Sequence, residues 1–144
     1  MSELEQQPKA VIFSGFPYDE GTRINGGRIG GSVASSIFRK TLSQHQIYPS
    51  QQIPVYDAGD IEHDLDLPKA HERLELKHKE ILSRHPRHLL VSIGGSNDQS
   101  YPNVAALLGN APNKVGVINI DAHFDVRPLK EGKAHSGSPF RLML

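Results

Sequence analysis

The chain has 144 residues, 37% of them hydrophobic, and sixteen basic side chains balance sixteen acidic ones. This length suits one domain with its own core, and the balanced charge argues against a general nucleic-acid or membrane-surface binder. Because the chain has no cysteine, disulfides, thiolate metal ligands and a thiol nucleophile are excluded. No apolar run approaches the ~20 residues of a membrane-spanning helix, and residues 1–7 do not resemble a signal peptide. We therefore expect a cytoplasmic protein.

Apolar runs alternate with amphipathic stretches along the chain. Four runs predict buried strands, at residues 10–13, 55–56, 89–93 and 115–120. The last two are continuous, which is typical of parallel strands covered on both faces. Three stretches predict helices, at residues 28–46, 68–85 and 101–108. Strands that alternate with helices predict an α/β fold of three layers, α/β/α, around a parallel sheet.

The C-terminal residues predict the start of a further helix. Ser138 is a good N-cap and Pro139 suits the first helical position. Residues 140–144 then supply only about one apolar turn, which is too short to be stable alone. We therefore expect residues 1–144 to be a single domain that forms the N-terminal part of a larger, truncated fold.

Three metal-ligand side chains alternate where the fourth predicted strand ends: Asp121, His123 and Asp125. In extended backbone, residues two apart project to the same side, and ligands bind at the carboxyl ends of parallel strands. Carboxylates and imidazole suit Mn²⁺, Fe²⁺ or Zn²⁺, and carboxylates can bridge two ions. The sequence predicts a metal site here; the alternative is a polar strand end with no ligand.

A glycine-rich loop follows the third predicted strand. Gly94 and Gly95 permit a sharp turn, and Asn97 and Asp98 then offer oxygens at the same edge of the sheet as Asp121. The alternative is an ordinary turn in which Asp98 caps the next helix.

Together these segments resemble the ureohydrolase family of arginase, agmatinase and formimidoylglutamase. Residues 121–125 match the family's Asp-Ala-His-x-Asp motif in full, and residues 15–21 and 25–30 are similar to its first loop. Residues 125–128 and 136–141 are most like the formimidoylglutamase branch. The sequence departs from the family where a loop histidine is replaced by Asn97 and where the His-Gly-x-Pro motif becomes Ser-Gly-Ser-Pro.

The resemblance implies an arginase-like fold, two Mn²⁺ ions per complete site and a small-molecule amidine substrate. The implied reaction converts N-formimidoyl-L-glutamate to L-glutamate and formamide. The implied metal ligands are Asp121, His123, Asp125 and Asn97, the last a weaker ligand than histidine. Arg127 and Ser136 are the implied substrate contacts, because a guanidinium pairs well with a dicarboxylate. His135 is the implied catalytic proton carrier; the alternative is that it only holds its loop.

Two other functions stay open. A guanidino-hydrolase such as agmatinase is disfavoured by Arg127, which would repel a cationic substrate, and a non-catalytic ureohydrolase-like protein is favoured by Asn97.

The family's last carboxylate pair has no counterpart in the sequence, so we expect the 144-residue chain alone to be inactive. Its expected partner is a further copy in a homo-oligomer or a missing C-terminal half.

One helix carries three histidines seven residues apart, at positions 71, 78 and 85. Metal ligands on a helix lie three or four residues apart. We therefore predict that these side chains lie at the edge of the helix interface.

Overall fold

The computed structural model describes residues 9–45, 53–111 and 114–144. In these residues, strands and helices alternate along the chain. The strands are β1 (Val11–Phe16), β2 (Val55–Asp60) and β3 (Leu89–Gly94). The α-helices are α1 (Glu20–Ile24), α2 (Ala34–Gln44), α3 (Leu67–Arg84) and α4 (Ser100–Asn110). Short 3-10 turns lie at Gly31–Val33, Asn97–Gln99 and Pro139–Leu142.

The sheet is parallel and has the order β2–β1–β3, with β1 in the centre. Consecutive side chains of β1 point to opposite faces, as strand geometry requires. Phe13 packs edge-on against Phe38 of α2, with the ring centroids 5.2 Å apart. Its neighbour Ser14 places Oγ 2.6 Å from Nε2 of His78 on α3. Helices therefore cover both faces, and the predicted three-layer α/β/α fold is confirmed.

Local signals explain the bounds of α3, which differ from the predicted ones by a single residue at each end. The Asp66 carboxylate accepts a hydrogen bond of 3.0 Å from the backbone N–H of Lys69, and Pro68 lies in the first turn. These are the usual signs of a helix start. The apolar face of the helix completes the buried cluster of Phe16, Ile61, Leu67, Ala70 and Leu74.

The predicted helix of residues 28–46 forms only from Ala34. Gly30 has a φ of 135°, which no helical residue adopts, so the preceding segment is a loop and then a 3-10 turn. The five-residue helix α1 was not predicted, because a segment this short carries no periodic apolar pattern.

The placement of two histidines differs from the sequence prediction. His71 and His78 are buried, not at an interface edge, while His85 is exposed. Each buried ring has a polar partner: Nε2 of His71 donates to Oδ2 of Asp98 across 2.6 Å, and His78 is bonded to Ser14. Buried polar groups need such partners. The seven-residue spacing indicated that the histidines share one face of the helix, but it could not reveal the residues to which they bond.

The prediction of a buried fourth strand at residues 115–120 is wrong for this structure. Residues 114–120 belong to no strand, and Ile118, Ile120 and Phe124 are 89%, 95% and 87% exposed. A continuous apolar strand needs neighbours at its edges and cover on both faces. The described part of the chain supplies neither.

The C-terminal turn is 3-10 rather than α-helical. The Ser138 hydroxyl does not cap it; Oγ accepts from the backbone N–H of His135 and donates to its carbonyl, both at 2.9 Å. Among the described residues, no helix combines the length and apolar character needed to cross a membrane.

Candidate active site

The loops that follow β1 and β3 contact each other at the carboxyl edge of the sheet. The N–H of Gly95 donates to the carbonyl of Phe16 across 2.9 Å. A β-carbon at Gly95 would overlap the carbonyl oxygen of Tyr18, so only glycine permits this approach. The next residue, Asp19, accepts from the N–H of Gly30 across 2.8 Å, and this bond lowers the pKa of its carboxyl. These contacts connect the loops at the edge of the sheet where parallel α/β folds bind ligands.

The 3-10 turn after β3 directs neighbouring side chains to opposite sides. Asp98 is fully buried against His71, whereas Asn97 is half-buried and points to the later loops. Nδ2 of Asn97 donates to Oδ2 of Asp125 across 2.6 Å and to the carbonyl of Ser136 across 3.3 Å. Its Oδ1, the oxygen suited to a metal, accepts from Oγ of Ser100 across 3.0 Å.

The alternation that predicted a common projection of Asp121, His123 and Asp125 is absent from the structure. Oδ1 of Asp121 accepts from the backbone N–H of His123 across 2.8 Å, so the chain bends there instead of continuing as a strand. Asp125 has a φ of 51°, in the left-handed region. The side chains of Asp121 and His123 are therefore exposed and interact with each other, while Asp125 turns inward and is 7% exposed.

These donors suit manganese in chemistry but are not arranged to hold it in this structure. Within residues 9–45, 53–111 and 114–144, no group of three or more carboxylate or imidazole side chains could hold a metal ion. Burial raises the pKa of Asp125, and the nearby charge of Asp121 adds to this effect. The structure places Asn97 in contact with Asp125, whereas Asp121 and His123 bond to each other. The ligand roles of all four residues stay predictions.

His135 is fully buried, and both ring nitrogens are engaged by backbone groups. Nε2 donates to the carbonyl of Pro128 across 3.0 Å, and Nδ1 accepts from the N–H of Gly137 across 3.2 Å. Both ring nitrogens are therefore occupied by backbone groups, and neither is free to face a substrate in this conformation. The arrangement supports the alternative that His135 holds its loop, and its catalytic role stays a prediction.

The two predicted substrate contacts lie close together and share a neighbour that the sequence did not single out. Oγ of Ser136 accepts from Nδ2 of Asn25 across 3.0 Å. The exposed Arg127 donates from Nη1 to Oδ1 of Asn25 across 3.4 Å. The only signal for Asn25 was its place in the segment of residues 25–30 that resembles the family's first loop.

A cleft of about 840 Å³ opens elsewhere, between the start of α3 and the loop of residues 129–134. His71 and Tyr101 lie on its wall. The seven predicted site residues do not line it. The candidate site is therefore the hydrogen-bonded group of Asn25, Asn97, Asp125, Arg127 and Ser136 beyond the carboxyl edge of the sheet.

The comparison with known families agrees with the fold described above. A family model described as the arginase family matches residues 9–144. The chain belongs to the arginase family. Formimidoylglutamase from Chromobacterium violaceum is 37% identical over 138 residues, which cover 94% of this chain and 43% of the relative.

Two solved structures show that this arginase-family chain has the fold of its relatives. The crystal structure of Trypanosoma cruzi formiminoglutamase with Mn²⁺ is 40% identical, with a TM-score of 0.85, and the match covers 99% of this chain and 49% of that one. Formimidoylglutamase from Bacillus subtilis is 29% identical, with a TM-score of 0.82, and the match covers 96% of this chain and 44% of that one. The chain thus spans less than half the length of these relatives.

Proposed function

We propose that the protein carrying this arginase-family chain is a manganese-dependent hydrolase of N-formimidoyl-L-glutamate. Water adds to the formimidoyl carbon, the bond from that carbon to the glutamate nitrogen breaks, and the nitrogen leaves with a proton. The products are L-glutamate and formamide. The observation that carries the proposal is the 40% identity over 99% of the chain, at a TM-score of 0.85, with the Trypanosoma cruzi formiminoglutamase.

The charge of Arg127 supports an acidic substrate. Its side chain is exposed, and among the residues that the structure describes, the one side chain bonded to it is Asn25, through the long contact with Nη1. The other N–H groups of the guanidinium have no side-chain partner in those residues and can pair with a carboxylate in the bidentate manner that guanidinium favours. The same positive charge disfavours a cationic guanidino substrate. Ser136 lies beside it and supplies a hydroxyl.

The proposal includes the metal ligands Asp121, His123, Asp125 and Asn97, a cytoplasmic location and assembly with further polypeptide. These four residues would hold manganese, whose chemistry when bound would be to activate water for attack on the formimidoyl carbon. In the structure Asp121 and His123 bond to each other, so holding a metal requires these two side chains to turn toward Asp125.

The test is hydrolysis by the protein at its natural full length, supplied with Mn²⁺. Glutamate release and bound manganese are measured for the parent and for Asp121→Ala and His123→Ala. We expect both variants to lose activity and metal. Glu72→Ala, an exposed change on α3, is the control and should retain both. Activity within a few-fold of the parent and unchanged metal content in the two site variants would refute the assignment.

Two observations favour a second candidate, a non-catalytic family member. The donors are not gathered in the described residues, and Asn97 stands where the family has a histidine. Such a protein would bind no manganese and would release no glutamate, whereas the hydrolase should bind two ions per chain.

A further inference from the structure

Asn25 joins the two predicted substrate contacts from a distant part of the chain. It is the C-cap of α1, and its carboxamide uses both ends: Nδ2 donates to Ser136 across 3.0 Å, and Oδ1 accepts from Arg127 across 3.4 Å. Because a carboxamide carries a donor and an acceptor in one plane, it sets the two partners at a definite distance from each other.

The backbone of residues 136–137 lies directly against the side chains of Asn25 and Arg127, which we call the Asn25 bridge together with Ser136. The N–H of Arg127 donates to the carbonyl of Gly137 across 3.0 Å, and the N–H of Ser136 donates to the carbonyl of Gly21 across 3.0 Å. A β-carbon at Gly137 would lie 3.2 Å from Cδ of Arg127 and 3.4 Å from Nδ2 of Asn25. The stem of Arg127 and the carboxamide therefore pack directly on a glycine backbone.

The bridge is also connected to the predicted metal ligands. The carbonyl of Ser136 accepts from Nδ2 of Asn97, which also donates to Asp125. Asn25 thus links the guanidinium, through Ser136, to the side of the site where the reacting carbon of the substrate would lie. A residue placed there governs the distance between substrate carboxylate and reacting group.

We propose that Asn25 is a positioning residue for substrate binding: it holds the Arg127 guanidinium toward a dicarboxylate and sets its distance from the metal side. The inference rests on the proposed function. Arginine loses much rotational freedom when it is fixed, and a side chain held before the substrate arrives loses less on binding. A neutral partner leaves the positive charge of Arg127 for the substrate.

The chemistry of the carboxamide distinguishes positioning from simple packing. Asn25→Asp keeps the shape but places an anion beside Arg127, so the guanidinium pairs within the protein and the dicarboxylate is repelled. Asn25→Ala removes both hydrogen bonds and leaves Arg127 mobile. A merely structural role predicts that aspartate, the closer isostere, is tolerated better than alanine; positioning predicts the reverse.

The experiment uses the protein at its natural full length, with Asn110→Ala at the end of α4 as control. The KM and kcat for N-formimidoyl-L-glutamate, the Kd for L-glutamate by calorimetry, and the melting temperature are measured. For Asn25→Ala we expect KM and Kd to rise roughly 10-fold with kcat nearly unchanged, the signature of uniform binding. Asn25→Asp should raise both further, and the control should change neither.

The inference is overturned if KM and Kd are unchanged, or if aspartate is tolerated better than alanine while the melting temperature falls. If the parent binds L-glutamate in an Asn25-dependent way but hydrolyses nothing, only the proposed function fails. If the parent hydrolyses the amidine without any effect of Asn25, only this inference fails. A parent that binds no dicarboxylate overturns both.

Discussion

Asn97 donates a hydrogen bond of 2.6 Å from Nδ2 to Oδ2 of Asp125, which joins the turn after β3 to a loop 28 residues further along the chain. The acceptor is nearly buried, so the bond is shielded from water and strengthened by charge. It makes Asn97 the partner of a carboxylate rather than a free side chain. The amide nitrogen faces Asp125, whereas an imidazole there would offer a nitrogen lone pair to a metal.

Asn97→His should therefore raise manganese affinity. Imidazole is a better ligand than a neutral carboxamide for such ions. Changing a group that only orients a metal ligand alters affinity on the order of 10-fold or more, so a change of the ligand itself should alter it at least as much. Calorimetric titration of metal-free, full-length protein with Mn²⁺ measures the effect, with Asn110→His as the matched control. An affinity that is unchanged or lower would show that residue 97 does not face the metal.

Asp98→Ala should destabilise the fold strongly. The carboxylate is fully buried, and its partner His71 is buried as well. Removing the carboxylate leaves the buried N–H of His71 without its acceptor, which costs up to about 3 kcal/mol. The same change at the exposed N-cap Asp66 should cost only about 1 kcal/mol. Urea unfolding of both variants measures the difference, and equal losses would contradict it.

Stability should fall as the pH is lowered from about 6.5 to about 4. Burial, with a contribution from the charge of Lys77, lowers the pKa of His78 from 6.5 to about 4. In this range the unfolded chain binds a proton that the folded chain excludes, so protonation favours unfolding, by at most about 3 kcal/mol. The free energy of unfolding, measured against pH, checks this.

The control for this pH dependence is His78→Gln, which keeps a polar group beside Ser14 but cannot titrate. Its stability should be lower overall and should vary less between pH 6.5 and 4. An unchanged slope in the variant would assign the pH dependence to another group.

The 144-residue chain by itself should self-associate and bind manganese weakly. The exposed side chains of Ile118, Ile120 and Phe124 form an apolar segment, and large exposed apolar surface drives association. Ile120→Lys should shift the sedimentation profile toward monomer, whereas Leu107→Lys on α4 should change it less. A clean monomer with two tight manganese sites would contradict this prediction.

Local patterns were sufficient for much of the fold. The start of α3 could be predicted because Asp66 and Pro68 act on adjacent backbone groups, and β3 because a continuous apolar run needs cover on both faces. The motif at residues 121–125 likewise predicted the family, which requires only the order of the residues. Each of these inferences depends on neighbours within a few positions of the chain.

The tertiary structure alone decided which polar groups meet. His78 bonds to a residue 64 positions away and Asn25 to one 111 positions away, so no local spacing could reveal either pair. The same holds for the inward turn of Asp125, which depends on the left-handed backbone and on Asn97. The prediction for residues 115–120 failed because a continuous apolar run forms a buried strand only where neighbouring strands pair with it and helices cover it. The described residues provide neither.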